Sequence, residues 1–205
     1  METVLSGIRS TGHLHLGNYF GALRNYIKMQ DEYNCFFFIA DLHSLTTHPH
    51  PDDFHSGVKT ILTEYLASGL DPEKSAIFVQ SDVPEIVELY VLLNMIAYKG
   101  ELERTAAFKE KVRKNPENVN AGLLTYPVLM AADILVHRAN KVPVGKDQEQ
   151  HLEMARLLAR RFNNLYGVEL FPEPQAFNFG SDLVKVPGLD GSGKATQTKI
   201  LFDKI

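Results

Sequence analysis

The stretch Ser6-Gly7-Ile8-Arg9-Ser10-Thr11-Gly12-His13-Leu14-His15-Leu16-Gly17-Asn18 decides the fold. It joins an apolar run, Thr3-Val4-Leu5, to a segment in which Leu16, Tyr19, Phe20, Leu23, Tyr26 and Ile27 recur at helical spacing. Thr3 to Ile8 reads as a short buried strand, and the helix is expected to end near Gln30. Glycines at 7, 12 and 17 let the backbone turn sharply or approach a ligand closely. A strand, a glycine-punctuated turn and a helix N-terminus make a phosphate site, because unpaired N–H groups and the helix dipole both favour an anion. The stretch is neither G-x-G-x-x-G nor a P-loop. Spacing alone therefore leaves open both a nucleotide loop and an ordinary strand-to-helix turn.

The pattern continues outward from that stretch. Cys35 to Ala40 is an unbroken apolar run, the signature of a strand covered on both faces, and it ends abruptly in Asp41-Leu42-His43-Ser44. Asp52 or Asp53 is placed to cap a helix that shows Val58, Ile61, Leu62, Tyr65 and Leu66 on one face and stops at Gly69. Ala76 to Gln80 reads as a third strand. Pro84 suits the first turn of a helix whose apolar residues run from Ile86 to Ile96, closed by Gly100. This alternation predicts an α/β fold, a Rossmann-like doubly wound parallel sheet flanked by helices. Ligands of such sheets lie outside the carboxyl ends of the strands, where strand order switches. Both polar clusters, 6–18 and 41–44, follow a strand.

The length of 205 residues suits one domain, or one domain with a small appendage. The formal net charge of −4 excludes a strongly basic, non-specific nucleic-acid binder. Contact with nucleic acid would need a local patch. Lys109, Lys111, Arg113 and Lys114 form one candidate, and Arg156, Arg160 and Arg161 another; solvated helix faces explain both equally well. No apolar run is long enough to span a bilayer, and the N-terminus does not read as a signal peptide. The single cysteine, Cys35, excludes an internal disulfide and fits a reducing, cytoplasmic compartment. Beside three phenylalanines it reads as core.

Residues 101–120 are charged and change character, with a turn at Asn115-Pro116-Glu117-Asn118. Leu123 to Leu135 is apolar and helical in period despite Pro127. Within it Tyr126, Met130 and Asp133 share one helix face. An aspartate on an apolar face costs several kcal/mol unless it finds a donor. It reads either as a salt-bridged residue, with Arg138 as partner, or as a carboxylate held for a ligand N–H in an aromatic-lined pocket. Val142-Pro143-Val144-Gly145 reads as a fourth strand. Asp147 is a good cap for the next helix, with Gln150 in capping-box position. Residues 163–180 read as irregular, and Val184 to Lys194 as a flexible glycine loop whose terminal lysine reaches a phosphate. The histidines lack carboxylate or cysteine companions at metal-ligand spacing, and no C-x-x-C, H-E-x-x-H or G-x-S-x-G is present.

Seen together, these pieces resemble the class I aminoacyl-tRNA synthetases, in their tryptophanyl form. His15-Leu16-Gly17-Asn18 resembles the HIGH signature in its variant ending in Asn. Ser6-Gly7-Ile8 before it and Asn18 to Arg24 after it are also typical. So are Gly100 to Arg104 with Phe108 to Lys111, the block Gly122 to Leu135, and Val142 to Gly145 followed by Asp147, Gln148 and His151. The resemblance runs in order from residue 1 to about 194. It departs at Arg9, where the family has glutamine, and at Leu5, where phenylalanine is common. The second signature, Lys-Met-Ser-Lys-Ser, reads Lys194-Ala195-Thr196-Gln197-Thr198 here and keeps only its first lysine.

The resemblance implies activation of tryptophan by ATP to tryptophanyl-adenylate and transfer to tRNA, with Mg²⁺ accompanying the ATP. It implies one catalytic domain over 1–205, a helical insertion around 101–135, an anticodon-reading helical domain missing from the sequence, and a homodimer with no membrane contact. His15, Asn18, Lys111 and Lys194 would serve catalysis. Arg9, Ser10, Thr11, Gly17, Asn18, Val144, Asp147 and Lys194 would bind ATP, with Gly17 leaving room for adenine or ribose. Leu5, Gly7, His43, Tyr126, Met130, Asp133, Val142, Val144 and Gln148 would bind tryptophan, Asp133 accepting the indole N–H. Charging of tRNA by this chain alone is expected to be poor. The rival readings are a tyrosyl-tRNA synthetase, a nucleotidyltransferase with a HIGH-like loop, and a non-catalytic nucleotide-binding relic.

Overall fold

In the computed structural model, residues 1–144 and 149–177 are described. Strands β1 (Thr3–Arg9), β2 (Asn34–Ala40), β3 (Ala76–Val79), β4 (Lys141–Pro143) and β5 (Gln175–Phe177) form one parallel sheet in the order β3-β2-β1-β4-β5. Each strand period alternates between two cores. Val4, Cys35, Phe37 and Ile39 face one side, where they meet Tyr26 and Met29 of α2 (Arg24–Met29) and Ile61 and Tyr65 of α4 (Pro51–Ala67). Leu5, Phe38 and Ala40 face the other. There they meet α5 (Pro84–Asn94), α8 (Ala121–Val136) and α9 (Glu149–Tyr166) through Ile86, Leu93, Val128, Ala132 and Leu152. With helices on both faces, the doubly wound expectation holds.

The order places β1 between β2 and β4. The chain first builds outward on one side of β1, then returns to its other side. This switch opens a crevice at the carboxyl ends of β1 and β4.

Several boundaries differ from the sequence reading. The first helix is not uniform: α1 (Leu16–Asn18) passes through a π-helical turn, Tyr19–Leu23, before α2. The helix expected to reach Gly100 stops at Asn94, where Met95 and Ile96 bond three residues back to Leu92 and Leu93 and tighten the last turn. Gly100 lies instead inside α6 (Lys99–Arg104), followed by α7 (Ala106–Lys114). The cap of α4 is His50, whose ring nitrogen accepts from Asp52 N, with Pro51 in the first turn. Asp52 and Asp53 lie in that first turn, favourably placed toward the helix dipole, but do not cap it. β4 ends at Pro143, one residue before Val144. β5, within a stretch read as irregular, is a three-residue edge strand preceded by Pro174, too short to carry a period. The glycine loop expected at 184–194 lies outside the described residues.

No helix among the described residues is long and apolar enough to cross a membrane. Cys35 sits in the core and burial pushes its thiol up to about 11. A thiol reagent at neutral pH is therefore expected to leave the folded protein unlabelled and to label it once urea unfolds it. Equal labelling rates in the two states would contradict the buried position.

Candidate active site

The loop after β1 is held in place by its own polar groups. Ser10 donates from both its N–H and its hydroxyl to Ser44 Oγ, each at 3.1 Å, and Ser44 in turn donates to Ala40 O at 3.0 Å. The ends of β1 and β2 are thus tied together. Glu64 of α4 accepts from Leu14 N and from His13 Nδ1, both at 3.0 Å, and so pins the glycine turn to the helix layer.

His15 caps α1. Its Nδ1 accepts from Asn18 N at 3.2 Å, and Asn18 Oδ1 accepts from His15 N at 3.0 Å, a reciprocal capping box. With Nδ1 acting as acceptor, a neutral His15 carries its proton on Nε2. The glycine at 17 is required by this arrangement: a Cβ there would lie 2.9 Å from the His15 ring. Room for the histidine ring is one constraint the fold places on this position.

The opposite end of the crevice is built around Asp133, a residue only 1 % exposed. His43 Nε2 donates to Asp133 Oδ2 at 2.7 Å, and Gln80 Nε2 donates to Oδ1 at 2.7 Å. Gln80 also accepts from His43 N at 3.4 Å. Each partner stands where a strand ends: His43 in α3 (Asp41–Ser44) after β2, and Gln80 in the turn after β3. The expected pairing with Arg138 does not form. Arg138 follows α8 in a left-handed conformation, φ 50°, while the carboxylate points back toward the sheet.

Between the two ends lies a cleft of about 520 Å³. Leu5, Gly7, His43, Tyr126, Met130, Asp133, Val142 and Val144, all expected near the amino acid, line it. So do Arg9, Thr11, His15 and Asn18, expected near ATP. Gly7 is there by necessity, since a Cβ would approach the Phe38 ring to 2.7 Å. Ser10 and Gly17 are not part of the lining; Ser10 is buried against Ser44 and acts on the loop's shape. Asp147, Gln148 and Lys194 lie outside the described residues. Gln150 spends its side-chain oxygen on Ala106 N at 2.8 Å, joining the start of α9 to the start of α7.

Tyr126 sits at the centre of this wall. Its ring packs 4.4 Å from His43 and 5.6 Å from His151, centroid to centroid, and Lys111 Nζ lies 4.3 Å above it. Burial pushes the Tyr126 phenol up, nearby Arg9 opposes the shift, and Asp133 adds to it. Burial, and then the charge of Arg9, hold the Lys111 ammonium below its ordinary range. Lys111 is not part of the cleft lining; it reaches the wall of the site from α7 through the ring of Tyr126.

The model of the tRNA synthetases class I (W and Y) matches residues 2–205. The chain belongs to that family. It is 72% identical over 194 residues to tryptophan–tRNA ligase of Porphyromonas gingivalis, covering 95% of this chain and 59% of that protein. Against the Fusobacterium nucleatum enzyme of the same name the identity is 52%, over 93% of this chain and 58% of the relative. The tryptophanyl-tRNA synthetase of Campylobacter jejuni, solved with ADP and tryptophan, superposes with a TM-score of 0.88 at 40% identity, over 96% of this chain and 61% of that one. A tyrosyl-tRNA synthetase from Archaeoglobus fulgidus shares the fold, with a TM-score of 0.70 at 18% identity. The chain spans a little over half the length of these curated relatives.

Within this class I synthetase domain, one basic cluster is explained by the fold. Arg156 pairs with Glu153, Arg160 with Glu173 at 2.7 Å, and Arg161 with Glu101 at 2.7 Å. Lys114 pairs with Glu110 at 2.6 Å, whereas Lys109 and Arg113 are exposed on α7 and form no ion pair among the described residues.

Gln80 is the site residue that sequence reading missed. A lone glutamine at a strand end carries no periodic or motif signal. Its removal leaves Asp133 Oδ1 and His43 N short of partners in a dry interior. Gln80→Leu is expected to destabilise the protein by about 3 kcal/mol, since an unsatisfied buried group costs about 1–3 kcal/mol and a charged one more. Urea unfolding checks this; a loss under about 0.5 kcal/mol would contradict the network, being the size of an ordinary surface substitution.

Proposed function

We infer that this chain is the catalytic part of a tryptophan–tRNA ligase. The observation that carries the reading is one cleft holding both halves of that chemistry. At one end a buried, doubly hydrogen-bonded carboxylate is walled by Tyr126, His43 and Met130; at the other is the capped His15–Asn18 loop. The 72% identity to a tryptophan–tRNA ligase supports it.

In this reading the indole N–H donates to Asp133, whose oxygens each keep lone-pair capacity beyond the His43 and Gln80 bonds. A substrate without that donor leaves a buried acceptor unmatched, which is where large discrimination ratios arise. The tryptophan carboxylate attacks the α-phosphorus of ATP; a carboxyl–phosphate bond forms, and the bond to pyrophosphate breaks. His15 Nε2–H, the Asn18 amide and the Lys111 ammonium supply positive charge and donors to the phosphates, as positioning-dominated phosphate chemistry demands. Asp147, Gln148 and Lys194 are assigned to the ribose, the α-amino group and the pyrophosphate. Among the described residues no group of three or more acidic, histidine or cysteine side chains could cage a metal. Mg²⁺ would accompany the ATP phosphates, its usual manner of binding in phosphate sites.

The tRNA end would approach over α7, where Lys109 and Arg113 are exposed. The same reading gives a cytoplasmic homodimer. α5 and the segment after it support the dimer, presenting Val87, Val91, Leu92, Met95 and Tyr98 exposed in close succession. Such a contiguous apolar patch marks an interface. Leu92→Glu is expected to shift the protein to monomers; light scattering that finds the wild type already monomeric, or the variant still dimeric, would contradict this surface.

The test of the activity is tryptophan-dependent exchange of pyrophosphate into ATP, beside thermal shifts with tryptophan and with tyrosine. Stabilisation by tryptophan alone is expected. Stabilisation by tyrosine alone would sink the reading. Asp133→Ala should weaken tryptophan far more than ATP, by roughly a hundredfold, the scale of losing a charge-assisted hydrogen bond of about 1.5–3 kcal/mol. Equal losses for both ligands would remove Asp133 from the pocket role.

A further inference from the structure

Helix α4 carries two residues that its own stability does not explain. Gly57 is buried in its middle, where glycine is the poorest helix former apart from proline. Glu64 stands in its last turn, where the helix dipole disfavours an acid. With Ile61 between them they recur at spacings of four and three, so all three share one face of the helix. Ile61 belongs to the core that also holds Val4 and Phe37. The other two meet the loop that follows β1.

At Gly57 the approach is backbone to backbone. A Cβ there would lie 2.3 Å from Ser10 O, the tightest such approach among the described glycines. Ser10 is not free to retreat, since its N–H and its hydroxyl both bond Ser44 Oγ at 3.1 Å. At Glu64 the contact is carboxylate to N–H. Oε2 accepts from Leu14 N and Oε1 from His13 Nδ1, both at 3.0 Å. The His13 side chain is 80% exposed, so that arm is worth little in water. The Leu14 arm is the sheltered one: Leu14 is buried in the same core as Ile61 and Tyr65.

These two contacts bracket the turn at Gly12, whose φ is 71°. Directly after them His15 opens α1. Thr11, His15 and Asn18 line the cleft from this loop, and no residue of α4 does. The helix therefore reaches the site only through the loop that it carries. The Asp133 end, built from α8 with His43 and Gln80, includes neither contact.

We propose that Gly57 and Glu64 are positioning residues for the nucleotide end of the cleft. The bare backbone at 57 seats the Ser10 carbonyl, the carboxylate at 64 fixes Leu14 N, and together they set the angle at which His15 and Asn18 meet the phosphates. This rests on the ligase reading above. A side chain at 57 drives the Ser10 carbonyl back by about 1 Å before ordinary contact distance is restored. A misplacement of that size in a positioning-dominated site costs up to about a hundredfold.

Calorimetric titration of the whole chain with ATP and with tryptophan tests this on the wild type and three variants. Gly57→Ala is expected to weaken ATP by roughly ten- to a hundredfold and tryptophan by less than about twofold. Glu64→Ala should weaken ATP roughly fivefold, the scale of one hydrogen bond, again sparing tryptophan. Glu64→Gln keeps an oxygen for Leu14 N and should stay near the wild type. Amide hydrogen exchange adds a readout that needs no ligand: Leu14 N–H should exchange faster in Glu64→Ala and at the wild-type rate in Glu64→Gln. Equal losses of ATP and tryptophan would make both residues part of the general framework and overturn the proposal. So would ATP affinity unchanged in both Gly57→Ala and Glu64→Ala. If Gly57→Ala does not fold, the two Glu64 variants carry the same comparison. A wild type that binds neither ligand would overturn the ligase reading instead, and the Leu14 amide alone would then decide whether α4 holds the loop.

Discussion

The carboxylate of Asp133 is the constraint on which the rest of the site depends. A charge-bearing group at 1 % exposure is tolerated only if donors replace the water it gave up. Those donors come from residues that follow two different strands, His43 after β2 and Gln80 after β3. The demand of one carboxylate therefore fixes α8 against two neighbouring strand ends. Asp41 adds a second tie at the same level, accepting from Leu42 N at 2.9 Å and Ser81 N at 3.1 Å. The floor of the cleft is rigid because moving any one of these elements breaks a hydrogen bond in a place water does not reach.

The two ends of the cleft are built on opposite plans. At the Asp133 end both carboxylate oxygens are bonded before any ligand arrives, while Nδ1 of His43 is buried without a hydrogen-bond partner. Elsewhere along the lining Arg9 forms no ion pair among the described residues, and the Lys111 ammonium rests on the ring of Tyr126. The cleft thus presents a bonded carboxylate at one end and positive charge beyond it.

Much of this was legible in the sequence. The alternation of apolar runs and helical periods gave the doubly wound sheet, because β2 is buried on both faces and its six apolar residues are contiguous. The spacing of Tyr126, Met130 and Asp133 placed all three on one helix face, and all three line the cleft. What escaped was of two kinds. Short elements such as β5 hold too few residues to show a period, and the break after Asn94 is a tightening of hydrogen bonds that leaves the apolar pattern intact. Partnerships across the fold also escaped. Arg138 was the acid's natural partner by sequence proximity, whereas His43 and Gln80 are 90 and 53 residues away in the chain. Lys111 was placed in the site by resemblance alone; spacing offered no reason to bring it to Tyr126.

The capping box formed by His15 and Asn18 bears on how any variant of the loop is to be understood. Each side chain holds the other's backbone N–H, so the pair builds the helix start from which it faces the cleft. Truncating either residue removes a chemical group and, in the same stroke, releases the turn that aims the other. A rate lost on substituting His15 therefore sums a contact with a loop geometry, and the two single replacements share one defect. Their effects will overlap rather than add, and only the double replacement, set beside both singles, separates what the imidazole touches from what it holds in shape.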